Sequence, residues 1–121
     1  MKLIDSNIII YSAYPNYAYL RPLVMDKSNF ASAISMVEVL GFIDISPEEK
    51  AYFTSVFNVL NVIMIDDQIT ERAIEIRQKQ KIKLGDLLIA STALVHQLEV
   101  NTRNVSDFQK ITGLTVVNPV L

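Results

Sequence analysis

The chain has 121 residues, 50% of them hydrophobic and 20% charged, which is the size of one domain with a core large enough to need no staple. It has no cysteine and one histidine, His96, so disulfides, thiol nucleophiles, Cys-ligated zinc, iron–sulfur clusters and a multi-histidine metal site within the chain are excluded. Gly41, Gly85 and Gly113 form no phosphate loop, no nucleophile elbow accompanies His96, and a net charge of −2 argues against indiscriminate nucleic-acid binding while permitting a local site.

In chain order, residues 2–4 read as a strand and Ser6 to about Tyr14 as a helix, with Ser6 placed to cap it and Pro15 to end it. Asp5 interrupts the opening apolar run before a signal-peptide core can form, and no run approaches the length of a membrane span. A cytoplasmic protein is therefore expected. Tyr17 to Pro22 connects, with a short helix around Leu20–Met25. Phe30–Ser32 is a second strand and Ala33–Ile43 a helix. Ser46-Pro47-Glu48-Glu49 is a capping box with proline in the first turn, opening a helix to about Leu60. Val62–Ile65 is a strand, and Asp66 or Asp67 caps a helix to about Lys81. Leu84–Gln97 is helical, Val100–Thr102 a strand, Ser106 the cap of a short helix, and Leu114–Val117 the last strand. Strands alternating with helices predict an α/β domain spanning residues 1–121, its small parallel sheet covered on both faces.

Three acids stand alone in apolar surroundings. Asp5 follows Leu3-Ile4 and precedes Ile8-Ile9-Ile10. Glu38 projects between Ile34 and Phe42 on a helix apolar in nearly every direction, and such a helix is expected to be buried. Asp86 lies in Leu84-Gly85-Asp86-Leu87-Leu88, in the first turn of a helix, where the dipole favours an ionised carboxylate. Asp5 falls at the carboxyl end of the first strand, the edge at which open parallel sheets bind ligands. Thr102-Arg103-Asn104-Val105-Ser106-Asp107 follows another strand and brings Asp107 to the same edge. Converging carboxylates repel one another, and a hard divalent cation removes that penalty. Oxygen-only donors suit magnesium or manganese, which can activate water for attack on a phosphodiester. Each acid also has a purely structural reading: Asp5 as a helix cap, Asp86 as a dipole partner, Glu38 as half of a buried ion pair, Asp107 as a surface residue beside Phe108.

The segments around these acids resemble the PIN-domain family, specifically its VapC-like toxin ribonucleases. Leu3-Ile4-Asp5-Ser6-Asn7-Ile8-Ile9-Ile10-Tyr11 resembles the family's first motif, and Ile34 to Phe42 the segment holding its glutamate. Lys83 to Leu94 resembles the third motif, Thr102 to Phe108 the last, and Asn118-Pro119 the usual ending. Ser6 replaces the commoner threonine but keeps the hydroxyl, and Gly85 stands where proline or another small residue is frequent. The resemblance implies a three-layer α/β/α fold around a parallel sheet of about five strands. It implies a metal-dependent endoribonuclease, the toxin of a toxin–antitoxin pair, typically a dimer held in check by its cognate antitoxin. By resemblance Asp5, Glu38, Asp86 and Asp107 form the acidic site for Mg2+ or Mn2+, supported through hydrogen bonds by Ser6, Thr102 and Asn104.

Residues 72–83 hold five of the eleven bases, namely Arg72, Arg77, Lys79, Lys81 and Lys83. They read as a solvated helix face or as a phosphate contact beside Asp86. Tyr11, Tyr14, Tyr17 and Tyr19 suit a protein interface better than base stacking. His96 reads as a partly buried histidine of no special role. Two alternatives stand beside the nuclease reading: an inert PIN-like binding module, and a receiver-type phosphoacceptor domain. For the second, Asp5 lacks a neighbouring acid, and Arg103 stands where a lysine is wanted.

Overall fold

A computed structural model describes residues 1–121. β1 (Lys2–Ile4) passes directly into α1 (Ser6–Ser12). The residue between them, Asp5, is extended and its Oδ1 accepts the Ser6 N–H at 2.7 Å, so Asp5 and not Ser6 occupies the cap position. Pro15 starts a 3-10 segment (Pro15–Leu20) that runs into α2 (Arg21–Val24). β2 (Phe30–Ser32) leads into α3 (Ala33–Leu40), whose cap is the Ser32 hydroxyl accepting from the Ile34 N–H. α4 (Pro47–Val59) opens with the expected capping box: Ser46 Oγ accepts the Glu49 N–H at 3.1 Å and Glu49 Oε1 accepts the Ser46 N–H at 3.0 Å. β3 (Asn61–Ile63) precedes α5 (Asp67–Lys79), for which Asp66 is the cap. α6 (Leu84–His96), β4 (Glu99–Asn101), α7 (Val105–Gln109) and β5 (Val116–Val117) complete the chain. Ser106 lies inside α7, and the residue before that helix is Asn104, whose side chain makes no capping bond.

All five strands are parallel, in the order β3-β2-β1-β4-β5. β1 thus lies between β2 and β4, whereas a receiver-type sheet sets its first strand between the second and third. The reason for two covered faces is visible in one dipeptide. Successive side chains of a strand point to opposite faces. Leu3 enters a core with Leu87, Ile89, Val100 and Phe108, built by α5, α6 and α7. Ile4 enters a second core with Ile8, Ile9, Val39 and Phe53, built by α1 to α4. The architecture is three-layer α/β/α.

Two expectations about burial are corrected. α3 ends at Leu40, and it is not buried all round: Val37 is 67% exposed, Glu38 is exposed, and Ile43 beyond the helix is 91% exposed. Apolar side chains state a preference for burial, but no element of this chain covers Val37 or Ile43. His96, in the last turn of α6, is likewise exposed. No helix is long and apolar enough to cross a membrane.

Candidate functional site

The carboxyl edge of the sheet carries the acids. β1 and β4 are neighbours on either side of the point where the strand order turns, the place where such sheets form a crevice. Asp5 leaves β1 there and Thr102 leaves β4. The Asp5 N–H still donates to the Asn101 carbonyl at 2.9 Å, so the ladder holds the acid's backbone rigidly. Its carboxylate is buried and fully engaged. Oδ1 accepts from the Ser6 N–H, while Oδ2 accepts from the Thr102 hydroxyl at 2.7 Å and from Asn7 Nδ2 at 3.2 Å.

Glu38 reaches the same edge from α3. Ser6 Oγ donates to Glu38 Oε1 at 2.6 Å and lies 3.0 Å from the buried Ser35 Oγ. Gly85 explains how Glu38 approaches α6: a Cβ on that glycine would come within 2.9 Å of Glu38 Oε2. Asp86, half-buried, follows in the first turn of α6, and Asp107 stands in the first turn of α7.

The electrostatics are those of uncompensated acids. Burial pushes the Asp5 carboxyl up to about 6; the Thr102 and Ser6 hydrogen bonds oppose the shift, while the charges of Asp86 and Glu38 add to it. Asp86 is raised by burial first and then by Asp107, with Glu38 adding and Lys83 partly offsetting. Glu38 is exposed and its Oε1 accepts from the Ser6 hydroxyl, so it is not half of the buried ion pair with a base that its structural reading required. No three of the acids are closed around one point that an ion would fill. The donor set nevertheless fits a hard divalent cation. All donors are carboxylate oxygens, two of the acids carry an electrostatic penalty that positive charge relieves, and magnesium commonly takes one or two carboxylates and keeps its waters.

The expected supporting residues divide. Ser6 bonds Glu38 through its side chain and Asp5 through its N–H, and Thr102 bonds Asp5. Asn104 contributes its backbone N–H, donated to Thr102 Oγ1 at 3.0 Å, and not its exposed side chain. Asn7 was not expected as a site residue, yet its amide joins Asp5, Thr102 and, through Oδ1, the Arg103 N–H. Its position two residues after Asp5, in the first turn of α1, was the available signal. The basic run splits as well. Lys81 and Lys83, joined by Lys110, line a hollow of about 120 Å³ with Asp86 and Asp107. Arg72 instead borders a separate hollow between α5 and α6 with Glu71 and Glu75.

Comparison with known proteins adds three findings. The PIN domain family profile matches residues 2–114. Ribonuclease VapC1 of Rickettsia felis is 31% identical over an alignment covering 95% of this chain and 93% of that protein. A toxin–antitoxin complex from Klebsiella pneumoniae contains a chain of 32% identity that superposes with a TM-score of 0.81, covering 99% of this chain and 98% of that one. VapBC2 from Rickettsia felis, bound to a promoter DNA fragment, shares the fold at a TM-score of 0.79, 22% identity and 97% coverage of each chain.

Proposed function

The chain belongs to the PIN domain family, and from that premise we propose that it is a VapC-type endoribonuclease, the toxin of a toxin–antitoxin pair. One observation carries the reading beyond the family: the buried, hydrogen-bonded and uncompensated Asp5 at the carboxyl edge of β1, with Glu38 and Asp86 acting on it through their charge. In this reading residues 1–121 are a single nuclease domain. Asp5, Glu38, Asp86 and Asp107 would hold Mg2+ or Mn2+. The bound ion supplies polarisation of a phosphoryl oxygen and a water acidic enough to attack phosphorus.

The protein's own contribution is preorganisation. Thr102, Asn7 and the Ser6 N–H fix both oxygens of Asp5, so the carboxylate does not reorient as substrate binds. The Ser6 hydroxyl fixes Glu38 in the same way. Gly85 keeps the space between α3 and α6 open for that carboxylate. The substrate is RNA. The partner is a cognate antitoxin, as in the toxin–antitoxin complex of 32% identity, and the working assembly is a homodimer acting in the cytoplasm.

The experiment is cleavage of a single-stranded RNA by the purified chain with Mg2+ or Mn2+, with excess chelator, and with Asp5→Asn. Cleavage that needs the metal and disappears in the variant supports the reading. Full activity in chelator overturns the metal site. Binding of RNA without any cleavage by the wild-type chain would leave the inert binding module in its place.

A further inference from the structure

The site must hold a polyanion although its own charges are negative, so positive charge has to enter from the rim. Arg103 is placed and oriented to supply it. It follows Thr102 directly, and its backbone N–H donates to Asn7 Oδ1 at 3.2 Å. The same Asn7 amide donates to Asp5 Oδ2 at 3.2 Å, so one side chain ties the Arg103 backbone to the buried acid. Tyr11 lies one helical turn beyond Asn7, on the same face of α1. The Arg103 guanidinium carbon sits 4.9 Å from the centre of the Tyr11 ring, and Nη1 donates to the Tyr11 hydroxyl. The ring is itself braced by Tyr17 at 4.8 Å and Tyr14 at 6.5 Å between centroids.

The Arg103 side chain is held by an aromatic partner. Its side-chain hydrogen bond goes to a phenol rather than to a carboxylate. The cation–π contact and that bond hold the planar fork still, and the charge and the other N–H donors stay available. A fixed, unspent guanidinium matches a phosphate, which it can grip with two parallel hydrogen bonds. Lys81, Lys83 and Lys110 gather near Asp86 and Asp107 in the layer on the opposite face of the sheet from α1.

We propose that Arg103 binds a backbone phosphate of the RNA strand and that Tyr11 is the residue that positions it; this rests on the endoribonuclease reading above.

The test separates binding from cleavage. In the Asp5→Asn background, fluorescence anisotropy with a short labelled single-stranded RNA gives Kd across a salt series. Arg103→Ala is expected to raise Kd about tenfold and to lower the salt slope by about 0.7, the loss of one phosphate contact on a single strand. Arg103→Lys keeps the slope and recovers only part of the affinity. Tyr11→Phe keeps the ring and the slope and weakens binding less than Arg103→Ala. In the active enzyme Arg103→Ala raises KM with little change in kcat, and the melting temperature is unmoved because the side chain is exposed. Unchanged Kd and slope in Arg103→Ala overturn the proposal. So does a fall in kcat together with a lower melting temperature, which makes Arg103 a prop for its loop. A wild-type chain that binds RNA with this Arg103 dependence but never cleaves it sinks the nuclease reading alone.

Discussion

Asp5 and Thr102 are 97 residues apart in sequence, and the Thr102 hydroxyl donates to Asp5 Oδ2 at 2.7 Å inside the protein. The two residues close β1 and β4, adjacent parallel strands, so sheet register alone brings them together. That bond favours the charged form of Asp5 in a setting where burial opposes it.

The balance has a pH signature. Asp5 titrates at about 6 in the fold against 3.8 for an exposed carboxyl, so between those values the folded chain binds more protons than the unfolded one. Asp5's contribution to the stability of the metal-free protein therefore falls as pH rises through about 4 to 6 and then stays level, a loss of up to about 3 kcal/mol. Asp5→Asn keeps a cap oxygen for the Ser6 N–H and removes this slope. Urea midpoints from pH 4 to 8 without metal should show the variant overtaking the wild type as pH rises. A variant less stable than wild type at neutral pH would make Asp5 a structural cap above all.

Thr102→Val tests the bond from its other end. It strips one hydrogen bond from Asp5 and leaves the Asn104 N–H without its acceptor. The expected cost is about 1–3 kcal/mol of stability, with cleavage reduced as the carboxylate loses its orientation. Unchanged denaturant midpoints and unchanged activity would contradict the role given to the hydroxyl.

Glu38 is exposed and bonded to Ser6, so charge removal strands no buried base. Glu38→Gln should change stability by no more than about 0.5 kcal/mol while weakening metal binding and cleavage by about 10- to 100-fold. Metal titration followed by activity checks this. Wild-type cleavage in the variant would remove Glu38 from the site.

Gly85→Ala separates packing from function. Alanine in a helix is worth up to about 1 kcal/mol over glycine, so the fold should be as stable or more so. The added Cβ, 2.9 Å from Glu38 Oε2, pushes that carboxylate aside. The melting temperature should hold or rise while cleavage falls about tenfold. Full activity would show that Glu38 does not need to approach α6.

A metal that binds the folded chain stabilises it by mass action. The melting temperature should climb with added Mg2+ or Mn2+ in the wild type, and the rise should vanish in Asp5→Asn. Equal rises in both proteins would place the ion elsewhere.

What the sequence by itself determined is local. The capping box at Ser46 and Glu49, the Asp66 cap and the strand–helix alternation depend on residues within about four positions of one another, where side chains meet their own backbone. The lone acids in apolar frames were visible for a related reason, since an ionisable group there needs a partner whatever the fold. Helix ends moved by a few residues; the Ser6 cap gave way to Asp5, because neighbouring polar residues compete for the same N–H groups, and Ser106 fell inside α7, which has no side-chain cap. Only the tertiary structure decided the rest. Glu38 was expected to be buried and is exposed, even though its carboxylate meets Ser6 of α1 and Gly85 of α6. Asn7 as the link between Asp5, Thr102 and Arg103, the seat of Arg103 on Tyr11, and Lys110 beside Asp86 all join residues distant in sequence. Such contacts follow from the order and register of parallel strands, and no periodicity along the chain encodes which strands become neighbours.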